Sequence, residues 1–289
     1  MKKVHFIINP AAGADEPILS IINEVLTDLK LEWEVSVSRK PGEVYDLARK
    51  SRDKADIIAV YGGDGSVVDA ARALHLHRTA LAIIPGGTAN VMAKELRLPP
   101  QSADAVRLLA DGKYTIRTID MGLLNGEPFL LRVNMGLMAD MVTEASDEMK
   151  ERYGQWAYGL AAFQNKDREA LAFELVVDGM PISLEGVALT ITNAGNVGKT
   201  GFSFYKNISV SDGYLDVILL DKADIASLLE VTGSILLKRD PATLQHWQAR
   251  EVDVRLGQET PYLRDDFAGS GRNLHIVVSP GSLNVVIPS

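Results

Sequence analysis

Glycines bracket a single carboxylate in Tyr61-Gly62-Gly63-Asp64-Gly65-Ser66, directly after the apolar run Asp56-Ile57-Ile58-Ala59-Val60 and before the helix-forming Val67-Val68-Asp69-Ala70-Ala71-Arg72-Ala73-Leu74. The pattern predicts a strand, a glycine turn and a helix start with Ser66 at the N-cap. Glycines that accept positive φ and let backbone approach closely make such a junction a concavity lined by N–H groups, a place for an anion and above all for phosphate. An ordinary strand-to-helix turn needs one glycine and no carboxylate. A carboxylate beside a polyphosphate is repelled unless a divalent cation bridges them or it accepts the proton of an incoming hydroxyl, so Asp64 points to phosphoryl transfer.

The design recurs. Ala80-Leu81-Ala82-Ile83-Ile84 is a short apolar run, followed by Pro85-Gly86-Gly87-Thr88-Ala89-Asn90 and by the helical Val91-Met92-Ala93-Lys94-Glu95-Leu96. Two phosphate-type turns thus close consecutive strands, and the hydroxyls of Ser66 and Thr88 add to their amides.

Together with Asn9-Pro10-Ala11-Ala12-Gly13, these turns resemble the NPxxG, GGDGT and P-x-GT-x-N signatures of the diacylglycerol kinase catalytic domain family, which includes bacterial lipid kinases and sphingosine kinases and is distantly related to NAD kinases. Later segments carry the likeness on: Arg152-Tyr153-Gly154-Gln155-Trp156-Ala157-Tyr158 is similar to a family helix start, and Ser211-Asp212-Gly213-Tyr214-Leu215-Asp216-Val217 to its DG-x-LD-V loop. The resemblance runs from Asn9 to Pro288. It implies a nucleotide site made of Asn9, Ser38, Gly62, Gly63, Asp64, Gly65, Ser66, Val67, Val68, Asp69, Gly87, Thr88 and Asn90, with Asn9 fixing the first turn and Asn90 the second. It further implies ATP and Mg²⁺ as cofactors, Asp120 in the acidic network at the nucleotide, and a structural magnesium held by Asp212 with the carbonyls of Ser209 and Tyr214.

Two positions depart from that pattern. Val91 stands where the family usually has Asp, and the family's D-G-E motif falls on Asp265-Asp266-Phe267, so a phenylalanine occupies the place of the Glu regarded as general base. Phenylalanine accepts no proton. Asp64, or Asp266 if its loop turns inward, is then the candidate base, and a weak kinase or a nucleotide binder is the alternative.

In chain order, Val4–Ile8, Trp33–Val37, Asp56–Val60 and Ala80–Ile84 read as strands alternating with helices after Pro17, over Glu43–Ser51, after the first glycine turn, from Thr88 and over Ala103–Ala110. Such alternation predicts a Rossmann-like parallel sheet covered by helices, with ligands at the carboxyl ends of its strands. Past Asp120 strands follow strands: Phe129–Asn134, Leu171–Val177 and Ile182–Thr192 in a hairpin about Asp178-Gly179, Leu215–Leu220, Gln248–Leu256 and Leu274–Ser279. Two helices, Ala139–Gln164 and Asp224–Lys238, interrupt them. The fold class expected is α/β: a nucleotide-binding domain over 1–121 and a strand-rich, β-sandwich-like domain over 122–280, and the family resemblance implies that 281–289 rejoin the first domain and that the second takes the lipid or other substrate.

Composition narrows the chemistry. The 289 residues carry no cysteine, which excludes disulfides, thiolate metal sites and thiol nucleophiles and suits a cytoplasmic protein. The formal net charge is −8 and no block of basic residues occurs, so nucleic acid is not an expected partner and membrane contact would be transient and peripheral. The five histidines show no zinc spacing, no G-x-S-x-G turn is present, and Asn193-Ala194-Gly195-Asn196-Val197-Gly198-Lys199-Thr200 lacks the first glycine of a phosphate-binding P-loop. The reading is an ATP- and Mg²⁺-dependent lipid kinase acting on a diacylglycerol-like or sphingoid hydroxyl, with a lipid at the membrane surface as partner and a homodimer left open. A phosphotransferase on a soluble acceptor, of NAD kinase type, and a nucleotide-binding protein without catalysis are the competing readings.

Overall fold

The computed structural model of the chain describes residues 2–12, 16–27, 31–136, 170–197, 202–203, 205, 207–221 and 244–289. They fall into two compact units, Met1–Asp120 with Gly281–Ser289, and Met121–Pro280.

The first unit is a parallel sheet. β1 (Lys3–Ile8) lies between β2 (Glu32–Val37) and β3 (Ile57–Gly62), and β4 (His77–Pro85) continues beyond β3, all parallel. The apolar runs explain the order. Strands β1 and β3 are buried along nearly their whole length, as parallel strands covered on both faces are, whereas the alternating Glu32-Trp33-Glu34-Val35 of β2 suits a sheet edge. Helices α1 (Ile18–Leu26), α2 (Glu43–Ser51), α3 (Asp64–Leu74), α4 (Val91–Glu95) and α5 (Ser102–Ala110) connect them. In α1 the buried residues are Ile18, Ile22 and Leu26, one row at four-residue spacing that meets a core containing Phe6, Ile57 and Val106. Helix α3 buries all of Ser66–Ala71 as well as Ala73 and Leu74, so small residues there are a packing requirement.

The second unit is antiparallel. It comprises the end of β5 (Tyr114–Leu124), β6 (Glu127–Phe129), β7 (Arg132–Gly136), β8 (Leu171–Val177), β9 (Met180–Gly186), β10 (Ala188–Thr192), β11 (Asn196–Val197), β12 (Phe202–Ser203), β13 (Leu215–Leu220), β14 (Leu244–Ala249), β15 (Glu251–Arg264) and the first part of β16 (Phe267–Pro288). The ladder runs β14, β13, β10, β7, β15, β16, with β8 and β9 joined to it through β15. Phe129, Phe173, Val217, Val254 and Ile276 lie in one buried cluster.

Several boundaries differ from the sequence reading. The hairpin turn does fall at Asp178-Gly179, both at positive φ as a two-residue hairpin turn requires, but its second strand ends at Gly186 and Ala188–Thr192 is a separate strand pairing with β7 and β13. Gly186 marks the switch because a Cβ there would stand 2.9 Å from the Leu220 carbonyl oxygen. The run expected over Gln248–Leu256 breaks at Arg250, whose N–H leaves the ladder for Asp178 Oδ1. Phe129–Asn134 likewise resolves into β6 and β7, around a stretch whose amides bind Asp265. The last part of β16 belongs to the first unit, where Leu283 and Val285 pair in parallel with β4. The helices expected over Ala139–Gln164 and Asp224–Lys238, and the motif Arg152–Tyr158, lie outside the described residues.

Candidate active site

The carboxyl ends of β1, β2 and β3 sit side by side, since Ile8 is in register with both Val37 and Tyr61. The chain leaves each end through a turn rich in hydrogen bonds. Asn9 organises the first: its N–H donates to the Tyr61 carbonyl, its Oδ1 accepts from Ala11 N–H at 3.1 Å, and its Nδ2 donates to Ser66 Oγ at 2.9 Å. Ser38 closes the second through its N–H and its hydroxyl, both directed at the Ile8 carbonyl.

The glycine turn after β3 differs from expectation in two ways. Helix α3 begins at Asp64 with Gly63 as N-cap, so Ser66 lies inside the first turn, buried, with its hydroxyl accepting from Asn9. No side chain caps the helix, which leaves its leading N–H groups without an intrahelical acceptor, in the arrangement an anion uses. Nor do the glycines take positive φ: Gly63 is extended, and Gly62, Gly65, Gly86 and Gly87 are absent from the left-handed region, which here is taken by Asn90 at φ 48°. Close approach is what excludes side chains. A Cβ on Gly62 would stand 2.5 Å from Ser66 Cβ, one on Gly87 would stand 2.5 Å from Gly63 Cα, and one on Gly86 would enter the Tyr61 ring at 2.8 Å. The two turns are packed backbone to backbone.

Asp64 and Asn90 hold that contact. Asp64 Oδ1 accepts from the Val91 N–H at 2.6 Å, so the carboxylate of the first turn satisfies an amide at the start of α4. Asn90 closes the second turn by accepting from Gly87 N–H at 3.0 Å and donating to the Gly87 carbonyl at 2.7 Å. The helix expected from Thr88 therefore starts at Val91, leaving Thr88 exposed in the turn. Val67, Val68 and Asp69 are buried in α3, and Asp69 faces Arg72 at 3.8 Å.

Beside Asn9 a cavity of about 450 Å³ opens, lined by Ile8, Pro10, Glu16, Ile18, Val37 and Tyr61 among others. Apolar side chains and backbone share its walls with Glu16, Ser20 and the Tyr61 hydroxyl, and that hydroxyl is buried with no hydrogen-bond partner among the described residues. Burial, and then the nearby Glu16 carboxylate, raise the Tyr61 phenol above its ordinary range. The sequence reading missed this cavity, although its signal was present: Ile8 and Val37 end two of the predicted strands, and Tyr61 directly follows a third.

Asp120, also in the first unit, is buried and accepts from the Gly281 N–H at 2.7 Å, anchoring the returning tail. In the second unit, Asp212 Oδ1 accepts from the Tyr214 N–H at 3.1 Å and Oδ2 lies 3.4 Å from Gln248 Nε2, while Gly213 at φ 78° turns the loop. Asp212, the Ser209 carbonyl and the Tyr214 carbonyl offer only oxygen, the donor set that a hard cation such as Mg²⁺ takes.

The segment Asp265-Asp266 is a two-residue turn closed by the Arg264 and Phe267 pair, with Asp265 at φ 50°. Asp266 sits exposed at its tip, so the inward carboxylate is its neighbour. Asp265 is buried and accepts the N–H groups of Leu130, Leu131 and Arg132 at 2.8, 2.8 and 2.9 Å. Burial pushes its carboxyl up to about 6 despite those three donors. Phe267 is partly exposed, with the Arg264 guanidinium 5.4 Å from its ring centre.

Comparison with known proteins gives the same outline. The diacylglycerol kinase catalytic domain family matches residues 3–124, and the YegS C-terminal NAD kinase beta sandwich-like domain matches residues 132–287. A Pseudomonas aeruginosa (strain UCBPP-PA14) relative named "Probable lipid kinase YegS-like" is 31% identical over 79% of this chain and 75% of its own length. The diacylglycerol kinase of Bacillus subtilis (strain 168) is 24% identical over 96% of this chain and 97% of its own. A crystal structure of a diacylglycerol kinase from Bacillus anthracis str. Sterne shares the fold with a TM-score of 0.77 at 22% identity, covering 100% of this chain and 97% of that one.

Proposed function

The chain belongs to the family of diacylglycerol kinase catalytic domains joined to a YegS-type C-terminal domain, and on that premise we propose that it transfers the γ-phosphoryl group of ATP to a lipid hydroxyl. One observation carries the nucleotide part of this reading. Two glycine turns packed against each other and tied by Asp64 to Val91, the first also tied to the turn after β1 by Asn9 to Ser66, present the uncapped start of α3, while Tyr61, just before it, lines a cavity of nucleoside size. The amides of Gly65 and Ser66 and the exposed Thr88 hydroxyl would receive phosphate oxygens, and the cavity between Ile8, Val37 and Tyr61 would receive the base.

Catalysis of this kind is chiefly positioning and charge stabilisation. Mg²⁺, when bound, neutralises charge on the transferring phosphoryl group. A structural Mg²⁺ would be held by Asp212 with the Ser209 and Tyr214 carbonyls. Asp64 acts first as a positioning residue, because its Oδ1 is committed to Val91. The relatives named diacylglycerol kinase and probable lipid kinase favour a diacylglycerol-like or sphingoid lipid, reached at a membrane surface, as the acceptor. Phe267, in the place of the family's usual Glu, favours a slow enzyme or, as a second reading, a nucleotide binder without transfer.

Labelled ATP offered with diacylglycerol, sphingosine and NAD in detergent micelles tests the proposal. Product on a lipid that disappears in Asp64→Ala is the expected result. Product on NAD alone, or none from any acceptor despite ATP binding, overturns the lipid kinase reading.

A further inference from the structure

We propose that Glu251, Asp253 and His275 form a binding site for a divalent transition metal ion of the Zn²⁺ class on the second unit. One carboxylate oxygen from each acid and one ring nitrogen of His275 all lie within 4.8 Å of one another. His275 Nδ1 is 2.8 Å from Asp253 Oδ1 and 3.9 Å from Glu251 Oε1. Ligands bound about 2.0–2.2 Å from a tetrahedral zinc stand roughly 3.4 Å apart, so the existing separations bracket what a metal imposes. Small side-chain rotations suffice to close the set.

The backbone makes this grouping a property of the ladder. Asp253 is directly opposite His275 in the antiparallel register of β15 and β16, and Glu251, two residues earlier on the same strand, projects from the same face. Both strands are fixed at these positions by side groups from neighbouring turns. The His275 N–H donates to Asn125 Oδ1 at 2.9 Å, and the Asn125 N–H donates to the His275 carbonyl at 2.8 Å. The Glu251 N–H donates to Asp178 Oδ1 at 2.9 Å, and the Asp178 N–H donates back to the Glu251 carbonyl at 3.0 Å. Three potential ligands therefore start from Cα positions that are set before any ion arrives, which lowers the ordering cost of binding.

The donor set selects the ion. Two carboxylate oxygens alone would suit Mg²⁺, Ca²⁺ or Mn²⁺, but an imidazole nitrogen shifts preference to Zn²⁺, Ni²⁺ or Cu²⁺. Glu251 and His275 are exposed and Asp253 is half-buried, so an ion enters directly from water and completes its shell with water molecules. The grouping is not legible in chain order, because Glu251 and Asp253 are separated from His275 by the whole turn at Asp265-Asp266. None of the three residues belongs to the candidate nucleotide or lipid machinery, so the site is independent of the kinase reading. Bound across β15 and β16, the ion would clasp the two strands together and raise the stability of the unit.

Titration calorimetry of the tag-free full chain with ZnCl₂, paired with melting curves, tests this. The expected result is saturable binding of Zn²⁺ that weakens at least tenfold in His275→Ala and in Asp253→Asn, with a Zn²⁺-dependent rise in melting temperature that both weakened variants lose. MgCl₂ should give no heat that depends on His275. Equal Zn²⁺ affinity in parent and His275→Ala, or no saturable binding in the parent, overturns the site. If His275→Ala lowers the metal-free melting temperature, His275→Gln, which keeps a polar group against Asp253, supplies the same comparison in a folded chain.

Discussion

Asp64 Oδ1 accepts a 2.6 Å hydrogen bond from the backbone N–H of Val91, so the carboxylate at the start of one helix supplies the missing acceptor at the start of the next. Residue 91 takes part through its backbone, which valine supplies as well as aspartate would. Val91 as a departure from the family pattern thus leaves this tie intact.

The tie sets the first prediction. A hydrogen bond from an amide to a charged acceptor is worth about 1.5–3 kcal/mol, and Asp64→Ala removes it and leaves the Val91 amide unserved. Asp64→Ala should lower the melting temperature by several degrees, whereas Asp64→Asn, which still offers an oxygen at Oδ1, should lower it less. Melting curves of the two variants that coincide would show that the bond does not hold the turns.

Glycine substitutions separate the two turns. A Cβ at position 63 meets Gly87 Cα at an ordinary 3.5 Å, while a Cβ at position 87 meets Gly63 Cα at 2.5 Å. Gly87→Ala should therefore weaken ATP binding by tenfold or more, and Gly63→Ala by much less. Calorimetry with ATP decides; a stronger effect at 63 than at 87 contradicts the packing described here.

Asp265 predicts a pH effect on stability. Its folded carboxyl titrates at about 6, above the ordinary value of 3.8, because it is buried. The folded state therefore holds a proton that the unfolded chain gives up, so this group's contribution is fully present below about pH 4 and is lost as pH rises through about 6. Asp265→Asn removes the titration. Relative to that variant, the parent should gain stability on acidification from pH 7 to 5 in urea denaturation, and a difference constant across that range would refute the account.

The hairpin tip gives a test of the base. Asp266 is exposed and Phe267 occupies the family's Glu position, next to Arg264. General-base help in such a transfer is typically about 10²–10⁴-fold. Phe267→Glu should raise turnover on a lipid acceptor by at least tenfold without changing ATP affinity, and Asp266→Asn should leave turnover within about twofold. A fall of tenfold or more in Asp266→Asn would restore Asp266 as the base.

Much of this molecule was legible in its residues, for a local reason. An uninterrupted apolar run such as Ile57–Val60 ending in glycines encodes a buried parallel strand and its turn within a dozen residues, and the alternation of such units sets the α/β class. The antiparallel half was legible as strands but not in its boundaries, because Gly186 and Arg250 end their strands through contacts with Leu220 and Asp178, which lie 34 and 72 positions away in the chain. The candidate site divides the same way. Residue type singled out Gly62, Asp64 and Gly87, and the family resemblance added Asn90. Only the tertiary structure decided that the glycines serve close approach rather than positive φ, that Asp64 is engaged by Val91, that Ser66 is served by Asn9, and that Asp265 rather than Asp266 turns inward. Each of these depends on which atoms from distant segments arrive within about 3 Å, a distance at which hydrogen bonding and steric exclusion act and which spacing along a chain does not encode.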